Sequence, residues 1–233
     1  EYDVLCLKRD YDFTFANLDR VSQATADYWQ ESSGADGSRK AVVGYDRRFL
    51  SDEFAQRTAE ILAANGFETT LTAKPTPTPA VSYAVKAQKA VGGVMITASH
   101  NPPAFNGFKL KADYGGSAEP AICQGVESLL DKNPVATARG TGPGRVITKD
   151  ITAPYFKALK KLVDFDLIAR SKIRFAHDPL FGVGAGCFDE LLAGTSCRVT
   201  TLNARHDPLF GGIIPEPIAR NYGRTTAYLQ KHP

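Results

Sequence analysis

Cysteine is scarce in this chain, with four in 233 residues (Cys6, Cys123, Cys187 and Cys197) and no two spaced as CxxC. That scatter excludes a disulfide framework, a zinc ribbon and a paired redox motif. It predicts reduced, mostly buried thiols in a cytoplasmic protein. Runs of one charge are also missing, and the net charge is only +3. A dedicated nucleic-acid binder is therefore not expected, although a local basic cleft for a small anion is compatible with this balance. No apolar stretch approaches the roughly 20 residues that a membrane-spanning helix needs. The opening Glu1-Tyr2-Asp3-Val4-Leu5 has neither the basic region nor the apolar run of a signal peptide.

What is present is 43% hydrophobic and 23% charged, as in an ordinary globular protein with room for one large domain or two of usual size. Apolar spacing from Leu18 through Val21, Tyr28 and Trp29 predicts a helix to about Glu31. The loop "SSGADGSRK" then leads into a buried strand, "AVVGY". Ser51 is the expected N-cap of a helix that closes at Asn65-Gly66, with Gly66 in the left-handed position. "ETTLTA" reads as a strand, and "KPTPTPA" as a rigid loop ahead of a helix over residues 81–89. "GGVMIT" and "GFKLKA" read as neighbouring strands, and Pro120 as the first residue of a helix towards Lys132. "NPVATARGTGPGR" marks the approach to a boundary between domains 1–148 and 149–233. A helix near residues 155–163, the strand "KIRFAH", a helix at 187–192, a strand at 197–202 and one last helix follow. The fold expected is α/β: a layered mixed or parallel sheet with helices on both faces, then a second, truncated α/β domain.

Two glycine- or histidine-bearing signals carry less. "GVGAG" (182–186) follows a strand but lacks the full G-x-G-x-x-G, because Cys187 stands where the third glycine belongs. "HDPLFG" occurs twice, at 177–182 and 206–211, which predicts two loops with the same turn chemistry. His177 and His206 read as turn residues beside Asp-Pro rather than as metal ligands.

The stretch "GGVMITASHNPPAFNGFKL" (92–110) is the chemical focus. An apolar strand ends there in Ser99, His100 and Asn101-Pro102, and ligands in α/β sheets bind outside the carboxyl ends of strands. A serine at that rim can be a nucleophile or phosphate carrier if a base and a cation stand nearby, roles open to His100 and Lys109. The same residues also make an ordinary hydrogen-bonded turn, and adjacent Ser and His side chains diverge on an extended backbone. From the residues alone both readings stand.

"TASHNP" followed by "NGFK" resembles the active-site loop of the α-D-phosphohexomutases, the phosphoglucomutase, phosphomannomutase and phosphoglucosamine mutase family. "VVGYDRR", "PTPTPAVSYAV" and "HDPLFGGIIPEP" resemble further segments of the family, so the likeness runs from about residue 40 to 217. The resemblance implies a mutase that moves phosphate between O1 and O6 of a hexose through a bisphosphorylated sugar. Ser99 would carry the phosphoryl group, His100 would be its polar partner, and Lys109 would assist proton transfer or offset charge. Arg48 and Asn101 would face the substrate; the alternative for Arg48 is an ion pair that holds its loop. Mg²⁺ is the implied metal, held in part by the phosphate on Ser99, and a hexose 1,6-bisphosphate the implied activator; hexose phosphates are the implied partners, with neither nucleic acid nor membrane. Residues 1–12 do not match the family's opening phosphate loop, and its metal loop, sugar loop and last domain have no counterpart here. The expectation is thus the first domain plus most of a second, inactive alone. The rival readings are a non-catalytic interaction module and a serine-nucleophile sugar phosphatase.

Overall fold

The computed structural model describes residues 6–8 (backbone only), 12–33, 37–137 and 144–232. The middle of the "SSGADGSRK" loop, the Cys6 side chain, most of the unmatched first twelve residues and the centre of the 133–145 boundary segment lie outside the described residues. The chain divides into two compact units. The first comprises residues up to Asp46 with Leu50–Ala98 and Ala104–Ile151; the second comprises Thr152 onward together with two short segments, Arg47–Phe49 and Ser99–Pro103.

Among the described residues the first unit has six strands: β1 (Cys6–Lys8), β2 (Lys40–Tyr45), β3 (Glu68–Thr72), β4 (Gly92–Ile96), β5 (Phe105–Ala112) and β6 (Arg145–Lys149). Their order in the sheet is β1-β5-β4-β2-β3-β6. Strands β4, β2, β3 and β6 are parallel, whereas β5 runs antiparallel to both β4 and β1. Helices α1 (Phe15–Ser33), α2 (Ser51–Ala64), α3 (Thr78–Gln88) and α4 (Pro120–Ser128) cover it. Successive side chains of a strand face opposite ways, and the core follows that rule. Ala41 and Val43, Val94 and Ile96, and Phe108 and Leu110 face one side, packed with Leu18, Val21 and Trp29 of α1, Phe54, Ala59 and Leu62 of α2, and Val126 of α4. Val42 and Met95 face the other side, packed with Val81, Ala84 and Val85 of α3. Helices on both faces of a mostly parallel sheet are what the strand-helix alternation predicted.

Several boundaries differ from expectation, each for a local reason. Ser51 is not the N-cap of α2; Leu50 takes that place with φ 61°, and the Ser51 hydroxyl donates to Asp46 Oδ1 at 2.7 Å. Helix α3 begins inside the proline segment, at Thr78, with Pro79 in its first turn. Proline is tolerated there because the first N–H groups of a helix have no partner within it. Strand β6 was not expected: it is an edge strand, largely exposed, that pairs in parallel with β3. Gly66 has φ 90°, the left-handed end of α2 that was predicted.

The second unit contains α5 (Thr152–Leu162), α6 (Phe165–Arg170), β7 (Arg174–His177), α7 (Cys187–Leu191), β8 (Arg198–Thr201) and α8 (Gly223–Lys231). Its two strands pair in parallel, Arg174 opposite Arg198. Phe156, Leu180, Phe181, Leu192 and Phe210 are its buried apolar side chains, while Leu162, Leu167, Ile173, Leu209 and Leu229 are exposed. Of the described cysteines, all three are free thiols, but only Cys123 is buried; Cys187 and Cys197 are half-buried, less hidden than the composition suggested.

Gly44 shows how tightly the α3 face is filled. A Cβ at this position would lie 2.4 Å from Val81 Cγ2 and 3.2 Å from Thr76 Cγ2. Gly44→Ala is therefore expected to destabilise the protein by about 1–3 kcal/mol through overpacking. Urea denaturation measures it, and an unchanged midpoint would show that α3 can shift outward at no cost.

Candidate active site: the Ser99 loop and its supports

Strand β4 is buried along its whole length, and the Thr97 N–H continues its ladder by donating to Gly107 O at 2.9 Å. The chain then turns sharply. Ser99 has φ 56°, in the left-handed region, and both Ser99 and His100 are exposed. A non-glycine residue there costs on the order of 1–2 kcal/mol. This backbone also corrects one inference from sequence: Ser99 is not extended, so its side chain does not diverge from that of His100. Ser99 Oγ and His100 Nδ1 are 3.2 Å apart, within hydrogen-bond reach, the donor being set by the imidazole tautomer.

Arg48 supplies the support. It is only 3% exposed, and its guanidinium donates to the carbonyls of Ser99 (2.9 Å), Asn101 (2.7 Å) and Pro102 (2.9 Å). The Phe210 ring lies 5.1 Å from the guanidinium carbon. Hydrogen bonds from a charged donor contribute about 1.5–3 kcal/mol each, so three of them outweigh the cost of the left-handed serine. Of the two roles open to Arg48, facing substrate or holding its loop by an ion pair, these bonds match neither in detail: they hold the loop, through carbonyls rather than a carboxylate. Asn101 is half-buried and meets Arg48 through its backbone carbonyl.

The twin "HDPLFG" segments share one aspartate-to-backbone contact, although positive φ falls one position later in the second than in the first. Asp178 Oδ1 accepts from Leu180 N at 2.9 Å, and Asp207 Oδ1 from Leu209 N at 3.0 Å, two residues on in each case. Leu180 and Phe181 in one turn, and Phe210 and Gly211 in the other, have positive φ. Arg47 reaches both: its guanidinium donates to the carbonyls of Phe181 (3.3 Å), Gly182 (3.2 Å) and Ala204 (3.0 Å). Its own carbonyl lies 3.1 Å from His206 Nε2. Among the described residues no group of three or more His, Cys, Asp or Glu converges on a point where a metal ion would sit.

Two family profiles account for most of the chain. Residues 7–136 match the phosphoglucomutase/phosphomannomutase alpha/beta/alpha domain I, and residues 153–232 match domain II of the same family. The chain belongs to the phosphoglucomutase/phosphomannomutase family. It is 31% identical to a phosphoglucomutase of Komagataeibacter xylinus over 82% of this chain and 37% of that protein. With a phosphoglucomutase/phosphomannomutase of Thermococcus kodakarensis it shares 32% identity over 77% of this chain and 39% of the relative. A crystal structure of a candidate phosphomannomutase from Thermus thermophilus superposes with a TM-score of 0.86 at 36% identity, covering 96% of this chain and 49% of the other. The chain thus spans about two fifths of the length of these curated relatives.

Within this mutase-family chain, sequence reasoning missed a buried polar relay in the first unit. Asn106, fully buried, donates to Ser51 Oγ at 3.1 Å, and Ser51 Oγ donates to Asp46 Oδ1 at 2.7 Å. Asp46 comes from the "GYDRR" motif and Asn106 opens "NGFK", so the two motif segments meet through a serine read only as a helix cap. Polar Asp46 directly after an apolar strand, and Asn106 within one, were the available signal. Lys109 is half-buried on β5, opposite Met95. Two residues along the same face, Lys111 is 7% exposed, and burial, aided by the Lys109 charge, holds its amine below the ordinary 10.5.

His177, at the end of β7, packs edge-on against Phe188 at 4.9 Å between ring centres. Burial lowers its pKa from the ordinary 6.5, against the opposing pull of Asp189 and Asp178. The unfolded chain then takes up a proton before the folded one, so stability is complete above the unfolded value and falls as pH drops below it. Thermal melts between about pH 7 and 5 are expected to show a loss that His177→Gln reduces. An identical pH slope in the variant would assign the loss to other groups.

Proposed function

We propose that this chain carries the phosphoryl-accepting part of a hexose phosphate mutase, with Ser99 as the phosphocarrier. The observation that carries the reading is the presentation of Ser99: an exposed hydroxyl on a left-handed turn, with an imidazole nitrogen at 3.2 Å. Transfer from a hexose 1,6-bisphosphate forms a bond between Ser99 Oγ and phosphorus and breaks the bond between phosphorus and a sugar oxygen. The hydroxyl proton passes to the departing sugar oxygen, by way of His100 Nδ1 in this reading, which the 3.2 Å separation supports. The mutase cycle then runs from phosphorylated Ser99: transfer to the free oxygen of a hexose monophosphate breaks the serine–phosphorus ester and forms the bisphosphate, and transfer back to Ser99 from the other oxygen of that bisphosphate releases the isomeric monophosphate.

Lys109 is assigned to offset charge on the transferring group, on the strength of its place in "NGFK". The relatives' names, phosphoglucomutase and phosphomannomutase, support hexose phosphates as substrates. Mg²⁺ belongs to the reading through the family likeness, and would supply charge neutralisation at the phosphoryl oxygens. This chain's described residues do not fit a carboxylate site for it, since no suitable cluster exists among them. Their contribution would be limited to the phosphate on Ser99. Free thiols at Cys123, Cys187 and Cys197 suit a cytoplasmic setting, and among the described residues no helix is long and apolar enough to cross a membrane.

Two measurements test this in the protein expressed with its full reading frame. After exposure to glucose 1,6-bisphosphate, peptide mapping should find one phosphate, on Ser99, and Ser99→Ala should abolish both label and turnover. A label elsewhere with Ser99→Ala fully active would sink the assignment, and steady release of inorganic phosphate would favour the phosphatase reading. Lys109→Ala should lower turnover by about two orders of magnitude, the loss expected when a preorganised donor to a developing charge is removed. Its melting temperature should move little, because the residue is only half-buried. An unfolded variant with normal specific activity per folded molecule would assign Lys109 to structure.

A further inference from the structure

We infer that Arg48 is the positioning residue of the Ser99 loop: it sets the reactive serine from behind, through backbone carbonyls, without meeting substrate. The inference rests on the reading of Ser99 as the phosphoryl acceptor. Three observations carry it. The Arg48 side chain is buried while Ser99 and His100 are exposed, so the guanidinium and the hydroxyl lie on opposite sides of the turn. Its donors meet the carbonyls of Ser99, Asn101 and Pro102, which brackets the loop on both sides of the Asn101-Pro102 peptide. The serine it holds has φ 56°, a conformation that reverts to the extended region unless something holds it.

The chemistry of the side chain matters as much as its charge. A guanidinium is planar, permanently protonated and carries five donors in a rigid fork. Three carbonyls fanned around one point suit that fork. A lysine ammonium would keep the charge but is a single point on a flexible stem. The carbonyls gathered on the Arg48 side also turn the negative ends of their dipoles away from the hydroxyl, where a phosphoryl group would arrive. Phe210, over the guanidinium at 5.1 Å, restricts its exit.

The test compares wild type, Arg48→Met and Arg48→Lys. Amide hydrogen exchange and Ser99 chemical shifts report the loop, and exchange at Val43 and Ile96 reports the core. In Arg48→Met, exchange at Ser99, His100 and Asn101 should rise about tenfold or more, with the Ser99 shifts moving towards extended values and the core amides unchanged. Arg48→Lys should lie between, and serves also if the Met variant does not fold. Phosphorylation of Ser99 by glucose 1,6-bisphosphate should lose about a hundredfold in maximal rate with little change in the half-saturating concentration, the mark of lost alignment rather than lost binding. If wild-type Ser99 takes no phosphate, the phosphocarrier reading falls, and the exchange data alone decide whether Arg48 holds the loop. Unchanged loop exchange in both variants, equal acceleration of core amides, or failure of both variants to fold would overturn the inference.

Discussion

A guanidinium buried among three backbone carbonyls is the contact on which the Ser99 turn depends. The turn after β4 must leave a fully buried strand and put a serine into solvent within three residues, and it does so with a backbone conformation that serine disfavours. The compensation comes from Arg48, fifty-one residues earlier, whose hydrogen bonds to Ser99, Asn101 and Pro102 convert a strained turn into a fixed one. The neighbouring Arg47 performs a parallel task on the carbonyls of Phe181, Gly182 and Ala204. Adjacent arginines thus organise separate loops by the same means, which is to satisfy carbonyl oxygens that the bends leave without ladder partners.

The first unit gives that turn a rigid strand to start from. Its sheet alternates side chains between two filled faces, and glycine stands where a side chain would collide with the covering helix, as Gly44 does against Val81. The relay from Asn106 through Ser51 to Asp46 satisfies polar groups inside that core. Buried polar groups are tolerated when paired, and a satisfied chain of them restricts the backbone more than apolar contacts do. The second unit is different in character, with two paired strands, few buried apolar side chains and several exposed ones.

Much of this was legible in the residues. Runs such as "AVVGY" and "GGVMIT" are short, apolar and rich in β-branched residues, and became strands; Gly66 ended a helix in the left-handed conformation because glycine alone enters it without cost. The twin "HDPLFG" turns followed from aspartate side chains that accept from the backbone two residues on. The misses share a cause. Ser51 has the composition of a cap, yet its hydroxyl is committed to partners outside its own turn of chain. Strand β6 has little apolar pattern of its own and exists because the edge of β3 was open to pairing.

Local periodicity, turn chemistry and proline and glycine placement determined the α/β alternation and marked the Ser99 segment, because those preferences act over a few residues of chain. The order of the strands, the left-handed φ of Ser99, the approach of Oγ to the imidazole and the inward commitment of Arg48 were decided only by tertiary structure. Each requires groups from separate segments to share one small volume, where unsatisfied donors and acceptors cost more than the strain needed to pair them.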